Sequence, residues 1–176
     1  MKYQFAALLA AFTATAATDW PQFRGPDGDG HSPAKNLPLS WNETKNVQWK
    51  VEIAGSGWSS PALHNGRLYL TTAEDAGANL SLKTFCHDAA NGKQLWSTEV
   101  IVTPPVKHHK KNGQASPTPI IEGDRLYVHF GHYGTVCLDL SGKIVWKQTS
   151  LKYSPVHGNG GSPIIVDNAL IFSADG

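Results

Sequence analysis

The strongest constraint in this sequence is that it repeats itself. Ser60-Pro61 and Arg67-Leu68-Tyr69-Leu70 align with Thr118-Pro119 and Arg125-Leu126-Tyr127-Val128, and again with Ser162-Pro163 and Ala169-Leu170-Ile171-Phe172. The offsets are 58 and 44 residues. A second block follows in the first two units. There Cys86, Asp88, Gly92, Lys93 and Trp96 align with Cys137, Asp139, Gly142, Lys143 and Trp146, with one residue gapped. A third trace around Trp49 (Asn46–Val51) matches only the Trp-bearing end of a unit. A chain that recurs on this scale is an array of one supersecondary unit, each copy needing its neighbours to bury its faces.

Each unit reads as four strands. Pro61 and Pro119 have no N–H for a ladder, so they stand at the start or edge of a strand. Asn65-Gly66, Gly123-Asp124 and Asp167-Asn168 are tight-turn pairs between apolar runs, the short-hairpin signal. Return strands begin at Arg67 and Arg125. A third pair of strands runs into Asp88 and Asp139, and a turn at Asn91-Gly92 or Ser141-Gly142 leads to a last strand holding Trp96 or Trp146. No 3.6-residue apolar period is sustained beyond the first residues. A four-stranded antiparallel unit of about 45 residues is a propeller blade. The expected fold is therefore all-β: a β-propeller of four-stranded antiparallel blades, with an incomplete ring of about two and a half blades. The boundaries are a closing strand at 47–53, blades at 58–100 and 115–150, and the start of another at 161–176, after an N-terminal extension at 18–46.

Composition assigns the aromatic residues. Six Trp is a large number for 176 residues, and Trp needs a broad apolar partner surface. Their place at the end of each unit makes Trp49, Trp96 and Trp146 docking side chains. Asp88 and Gly92, and Asp139 and Gly142, hold the hairpins that present them. Asp88 and Asp139 occupy equivalent repeat positions, so they read as structural and not as a catalytic carboxylate pair. The chain has 15 Lys+Arg against 14 Asp+Glu, a net charge of +1, with no basic surplus to suggest nucleic acid.

These units resemble the Trp-docked repeats of the PQQ-binding-like (quinoprotein and BamB-type) β-propeller superfamily. The segments that carry the likeness are Asp88-x-x-Asn91-Gly92-Lys93-x-x-Trp96 and Asp139-x-x-Gly142-Lys143-x-x-Trp146. Trp20-Pro21-Gln22-Phe23-Arg24-Gly25-Pro26, Ala115–Pro119 and Gly158–Pro163 are also similar to segments of exported PQQ-like repeat proteins. The resemblance implies one of two activities. One is a non-catalytic exported scaffold that binds protein or polysaccharide. The other is an alcohol or sugar dehydrogenase using PQQ and Ca²⁺, whose active-site half lies outside this chain. PQQ and calcium enter by that resemblance alone. The adjacent Cys pair frequent in such enzymes is absent, since Cys86 and Cys137 stand 51 residues apart. At roughly 45 residues per blade, a ring of seven or eight blades needs over 300 residues, so the sequence reads as part of a longer protein.

Residues 1–17 read as a signal peptide: Lys2, an apolar run from Phe5 to Phe12, and small residues at Ala14 and Ala16. The run is short of the roughly 20 residues a membrane span needs. Export to the periplasm or beyond follows, and it makes a disulfide chemically possible. Equivalent positions on stacked sheets lie about 10 Å apart, too far for a disulfide, so Cys86 and Cys137 are expected as buried free thiols.

The remaining candidates sit in connections. His108 and His109 are neighbours in a long blade-to-blade segment; adjacent residues of extended chain point apart, so the pair chelates a metal poorly. They read as a solvated loop or a partner contact. His157 and Asn159 stand in a glycine-rich approach to Ser162, and Trp58 at the matching place one unit earlier; together they are candidate ligand or partner contacts. His132, between Gly131 and Gly134, is expected on an exposed hairpin turn. Asp27-Gly28-Asp29-Gly30 starts like a calcium loop but continues with Ser32 where Gly is required and Pro38 where Glu is required. No catalytic residue and no metal-ligand set is assigned.

Overall fold

A computed structural model describes residues 19–106, 109–110 and 112–174. The expected signal peptide (1–17) and His108 lie outside these residues. Among the described residues the regular elements are all β-strands except for one short 3₁₀ turn. Four strands, β1 (Ala62–His64), β2 (Arg67–Ala76), β3 (Asn79–Asp88) and β4 (Gln94–Thr103), form one antiparallel sheet in sequence order. A second sheet holds β5 (Ile120–Glu122), β6 (Arg125–His129), β7 (Thr135–Asp139) and β8 (Ile144–Gln148), again in order. A third hairpin pairs β9 (Ile164–Val166) with β10 (Ala169–Ile171). These are the four-stranded blades and opening hairpin of a propeller, about two and a half blades in all.

Local chemistry explains the boundaries. Each unit's first strand begins immediately after its Pro, at Ala62, Ile120 and Ile164, because Pro can precede a ladder but cannot donate to it. Asn65 and Gly66 both take positive φ, 49° and 70°, the two-residue turn whose twist suits a hairpin. The outer turns are built by carboxylates. Asp139 Oδ1 accepts from the Ser141 N–H, the Ser141 hydroxyl and the Lys143 N–H, and Asp88 Oδ1 accepts from the Ala90 N–H at 2.8 Å.

The two sheets repeat one cross-strand row. Tyr69 faces Cys86, which faces Trp96; Tyr127 faces Cys137, which faces Trp146. The small Cys leaves room for the flanking rings, whose centroids are 5.9 Å apart in the first sheet and 6.1 Å in the second. A register shift falls directly after each Cys, and a bulge there re-aims the final strand. Both thiols are buried and free. Burial pushes the Cys86 thiol up to about 11, so it stays protonated and behaves as a small apolar side chain.

Contacts between successive units lie at both edges of the sheets. At the last-strand edge, the Trp96 indole Nε1–H donates to the Leu140 carbonyl at 3.2 Å, and the ring lies over Gly142. A Cβ on Gly142 would come within 2.7 Å of the indole, and its φ of +90° disfavours any side chain. One unit earlier, Trp49 Nε1–H donates to Ala89 O at 3.0 Å and its ring covers Gly92. At the first-strand edge, the Ser60 N–H donates to Thr118 Oγ1 (3.1 Å), and the Thr118 N–H donates to Ser162 Oγ (3.0 Å). Between the edges Tyr69, Leu82, Val100, Leu126, Val136 and Leu138 are fully buried. Each of the Leu and Val side chains contributes about 1.5–3 kcal/mol of burial.

Two segments differ from expectation. Residues 47–53 form no strand, because none of the described residues forms a ladder with their backbone; Trp49 still reaches Gly92. Trp146 is 42% exposed, since no Asp-x-x-Gly hairpin of a third unit lies among the described residues for its ring to cover. The N-terminal extension, in turn, is partly built into the sheets. Trp20 exchanges two backbone hydrogen bonds with Leu63 (2.8 and 2.9 Å), and Pro21 O accepts from Ile121 N–H at 2.9 Å. Asp19 bonds His64 Nδ1 at 2.7 Å. This segment therefore straps the first strands of both blades together.

Replacing Gly142 by Ala places a methyl group against the Trp96 ring and strains a left-handed backbone. The expected loss is about 2 kcal/mol. Denaturant unfolding of G142A checks this against G123A, whose site has nothing within 4 Å of an added Cβ and a φ of +57°. The control carries the backbone strain alone, so G142A is expected to be the less stable of the two.

Candidate functional site

The candidate site forms where two blade-to-blade connections meet, residues 104–119 and 149–163. The first connection folds on itself. Tyr133 Oη accepts from Val106 N–H (3.1 Å) and from Gln114 Nε2 (3.3 Å), and Gln114 Nε2 also donates to Val106 O. The Ser116 hydroxyl donates to Asn112 Oδ1 at 2.5 Å, and Gly113 N–H donates to Ser116 Oγ at 3.0 Å. The second connection is tied to the second blade by Asn159. Its Nδ2 donates to His132 Nδ1 at 2.9 Å, and its Oδ1 accepts from Tyr153 O–H at 3.1 Å.

Asn159 is 8% exposed, and its carboxamide occupies the space a Cβ on Gly131 would fill, 1.6 Å from Asn159 Cγ. Gly131 is thus the empty seat for Asn159. This overturns the expectation for His132. The Gly131–Tyr133 segment closes the β6–β7 hairpin as expected, in the form of a 3₁₀ turn, but it holds His132 half-buried and not exposed. Because His132 Nδ1 accepts, the ring proton sits on Nε2, which is buried and meets no acceptor among the described residues. Burial pulls the His132 pKa down, with Lys152 acting in the same direction and the Asn159 bond opposing.

The connections enclose a cleft of about 490 Å³. Val106, Tyr133, Pro155 and Val156 give it an apolar wall; Gln114 and Lys152 stand in its lining. Asn159 and Tyr153 separate it from a second hollow of about 200 Å³ bounded by His129, Gly160, Gly161 and Ser173. His129 is 2% exposed, bonds Thr135 Oγ1 at 2.9 Å, and stacks on Phe172 with ring centroids 4.1 Å apart. It joins the second blade to the third hairpin, and burial pushes its pKa down to about 4.

The candidate residues read from sequence are distributed as follows. His109 and His157 come together from different connections, ring centroids 5.2 Å apart and nearly perpendicular. Asn159 is a connector whose two polar atoms are both engaged. Trp58 is 63% exposed, lies beside Gly113, and its N–H donates to Ala115 O at 2.9 Å. Sequence reasoning missed His129, Tyr133 and Tyr153. The only available signal was that His129 and Tyr133 bracket Gly131. Among the described residues no three His, Cys, Asp or Glu side chains converge as a metal site, and the cleft lining contains no carboxylate. Calcium takes six to eight oxygen ligands, usually with carboxylates, so these residues do not fit a calcium-held quinone.

With this geometry in place, the class is an all-β protein of Trp-bearing propeller repeats whose connections form a half-open cleft. Residues 35–176 match the protein family described as "Outer membrane protein assembly factor BamB". The chain belongs to this family of PQQ-like, BamB-type propeller repeat proteins. No curated protein matches it. Among solved structures it is similar to BamB from Moraxella catarrhalis, at 16% identity over 74% of this chain and 38% of that one, TM-score 0.44. It is also similar to a europium-containing methanol dehydrogenase, at 19% identity over 50% of this chain and 14% of that one, TM-score 0.35. The chain thus spans well under half the length of either structure.

The buried histidines set an acid limit on stability. His129 titrates near 4 when folded and near the ordinary 6.5 when unfolded. Between those values the unfolded chain binds more protons, so stability falls as pH drops from about 6.5 to about 4, by on the order of 3 kcal/mol. His132 is shifted the same way. Asp139 is shifted below its ordinary 3.8, so its contribution is lost only at lower pH. Thermal melts at pH 7 and pH 4.5 are expected to separate by at least about 5 °C less in H129Q than in wild type. An equal separation would remove His129 from this role.

Proposed function

We propose that this chain is part of an exported, non-catalytic binding scaffold whose connection face recognises another protein. The observation that carries the reading is the use made of the polar side chains around the cleft. Asn159, Tyr153 and His132 are engaged in one hydrogen-bonded chain that fixes the connections. Such a chain holds a shape; it does not present a base or a nucleophile to a substrate. The exposed part of the wall is apolar, with Val156 80% and Val106 48% exposed. That surface suits contact with a partner.

Export is part of the proposal and is supported by the Lys2 start, the apolar run and the Ala14/Ala16 spacing. So is the role of the indoles as joints between blades, supported by the Trp49–Gly92 and Trp96–Gly142 contacts. No helix among the described residues is long and apolar enough to cross a membrane.

The test against the quinoprotein alternative is calorimetric. Titration of PQQ with Ca²⁺ into the protein, both as this chain and within its full reading frame, is expected to give no binding heat at micromolar concentrations. Saturable heat in that range would overturn the scaffold reading.

A further inference from the structure

The first connection carries a chemistry that the cleft does not use. An Asn followed by Gly can close on itself: the Gly nitrogen attacks the Asn carboxamide carbon, and no Cβ on the Gly stands in the way. The sequence holds four such pairs, at Asn65-Gly66, Asn91-Gly92, Asn112-Gly113 and Asn159-Gly160. The fold ties up three of them. The Gly92 N–H donates to Asp88 O at 2.8 Å, and Asn91 Oδ1 is occupied by the Lys93 N–H. The Asn65 carboxamide turns to His64 Nε2, 2.9 Å away. The Asn159 carboxamide is buried against Gly131, with both polar atoms bonded to other side chains.

Asn112 differs. Its Oδ1 lies 3.0 Å from the Gly113 nitrogen and accepts that N–H, so the nitrogen is held against the carboxamide it attacks. The Ser116 hydroxyl closes the triangle. Its Oγ accepts from the same Gly113 N–H at 3.0 Å and donates to Asn112 Oδ1 at 2.5 Å. Its other acceptor, Gly113 O, is farther away at 3.2 Å. An atom that accepts the Gly113 N–H is an oxygen, which fixes the orientation of the carboxamide. One hydroxyl thus takes from the attacking nitrogen and gives to the oxygen on which charge develops, the two proton transfers that ring closure needs. Asn112, Gly113 and Ser116 are all partly exposed, so water has access to the triangle. Gly113 itself is required by packing, because an added Cβ would stand 2.9 Å from Trp58 Cδ1.

We infer that Asn112-Gly113 is a self-modifying site, at which the Ser116 hydroxyl relays the proton for conversion of the Asn112 amide to a carboxylate. The bond from the Gly113 nitrogen to Asn112 Cγ forms as the Gly113 proton passes to Ser116 Oγ and the Ser116 proton passes to Oδ1. The tetrahedral carbon then expels the side-chain nitrogen as ammonia and regenerates its C=O, leaving a five-membered succinimide. Water opens that ring at either carbonyl, giving aspartate or isoaspartate at this position. The balance is one water consumed and one ammonia released, with no oxidant or reductant. Asn112 Nδ2 lies 3.4 Å from where a Cβ on Gly160 would stand, so the new negative charge arises where the first connection meets the second. The inference goes beyond the scaffold reading and does not rest on it.

Peptide mapping by mass spectrometry, on the purified chain incubated in mildly alkaline buffer, tests it. In the folded chain Asn112 is expected to convert at least about fivefold faster than Asn65, Asn91 or Asn159, with isoaspartate among the products. Ser116→Ala is expected to slow conversion of Asn112 at least about tenfold. Ser116→Thr keeps a hydroxyl and is expected to restore most of the rate. Melting curves verify that both variants remain folded, and the comparison among the four sites needs no variant. In urea the triangle is lost, and wild type and Ser116→Ala are expected to convert Asn112 at equal rates. Two outcomes overturn the inference: Asn112 converting no faster than the other three sites in the folded chain, or folded wild type and folded Ser116→Ala converting it equally fast. Neither bears on the PQQ titration, so this inference and the scaffold reading fail separately.

Discussion

We propose that the arrangement of these sheets depends on an indole laid flat on a residue with no side chain, as Trp49 lies on Gly92 and Trp96 on Gly142. A Trp ring gains most when its whole face meets atoms at van der Waals distance. A hairpin turn offers such a face only where Cβ is missing and the backbone is free to take a positive φ. Gly92 and Gly142 meet both conditions, at +74° and +90°. The Asp and the N–H groups it binds keep each turn flat, and the carbonyl two or three residues before the Gly takes the indole proton. At the opposite edge of the sheets, Ser60 to Thr118 and Thr118 to Ser162 supply a second joint. Two joints at opposite edges fix the angle between neighbouring sheets, where one would leave a hinge. The strap formed by Trp20 and Pro21 adds backbone pairing across the same first-strand edge.

That angle decides what the connections can do. Turns inside a blade are short and spent on closing hairpins. The segments from Thr103 to Pro119 and from Thr149 to Pro163 are longer than those turns. Gly131 admits Asn159 and so pins the second connection to the second blade. Binding residues commonly lie on loops held by a rigid scaffold. The family to which the chain belongs fixes its fold class; the apolar wall of Val106, Tyr133, Pro155 and Val156 is a property of this sequence.

Much of this fold was legible beforehand, and the reason is physical. Alternation, turn pairs and Pro positions are local, and each recurs in register in two or three units, so Asn65-Gly66, Pro119 and Trp96 could be placed from neighbours in the chain alone. Cys86 and Cys137 were legible as buried thiols because the repeat puts them on separate sheets. What was not legible depends on how one unit stacks on the next. Ser60, Thr118 and Ser162 were visible as residues preceding Pro, yet their hydroxyl bonds exist only at the angle that brings first-strand edges together. His132 looked exposed because a Gly-flanked turn usually is. Nothing local announces that Asn159, 27 positions away, will bury it. Residues 47–53 carry a strand-like sequence but have no backbone to pair with among the described residues.

Hydrogen exchange at the indole nitrogens probes the joint between blades without altering the molecule. Trp49 and Trp96 have Nε1–H groups bonded to Ala89 and Leu140, whereas Trp41 and Trp58 are 69% and 63% exposed. In ¹H–¹⁵N spectra the first pair is expected to exchange with deuterated solvent at least about tenfold more slowly than the second, because exchange requires local opening. Equal rates for all four would mean that the rings do not rest on their turns in solution, and that the sheets are held at their angle by something else.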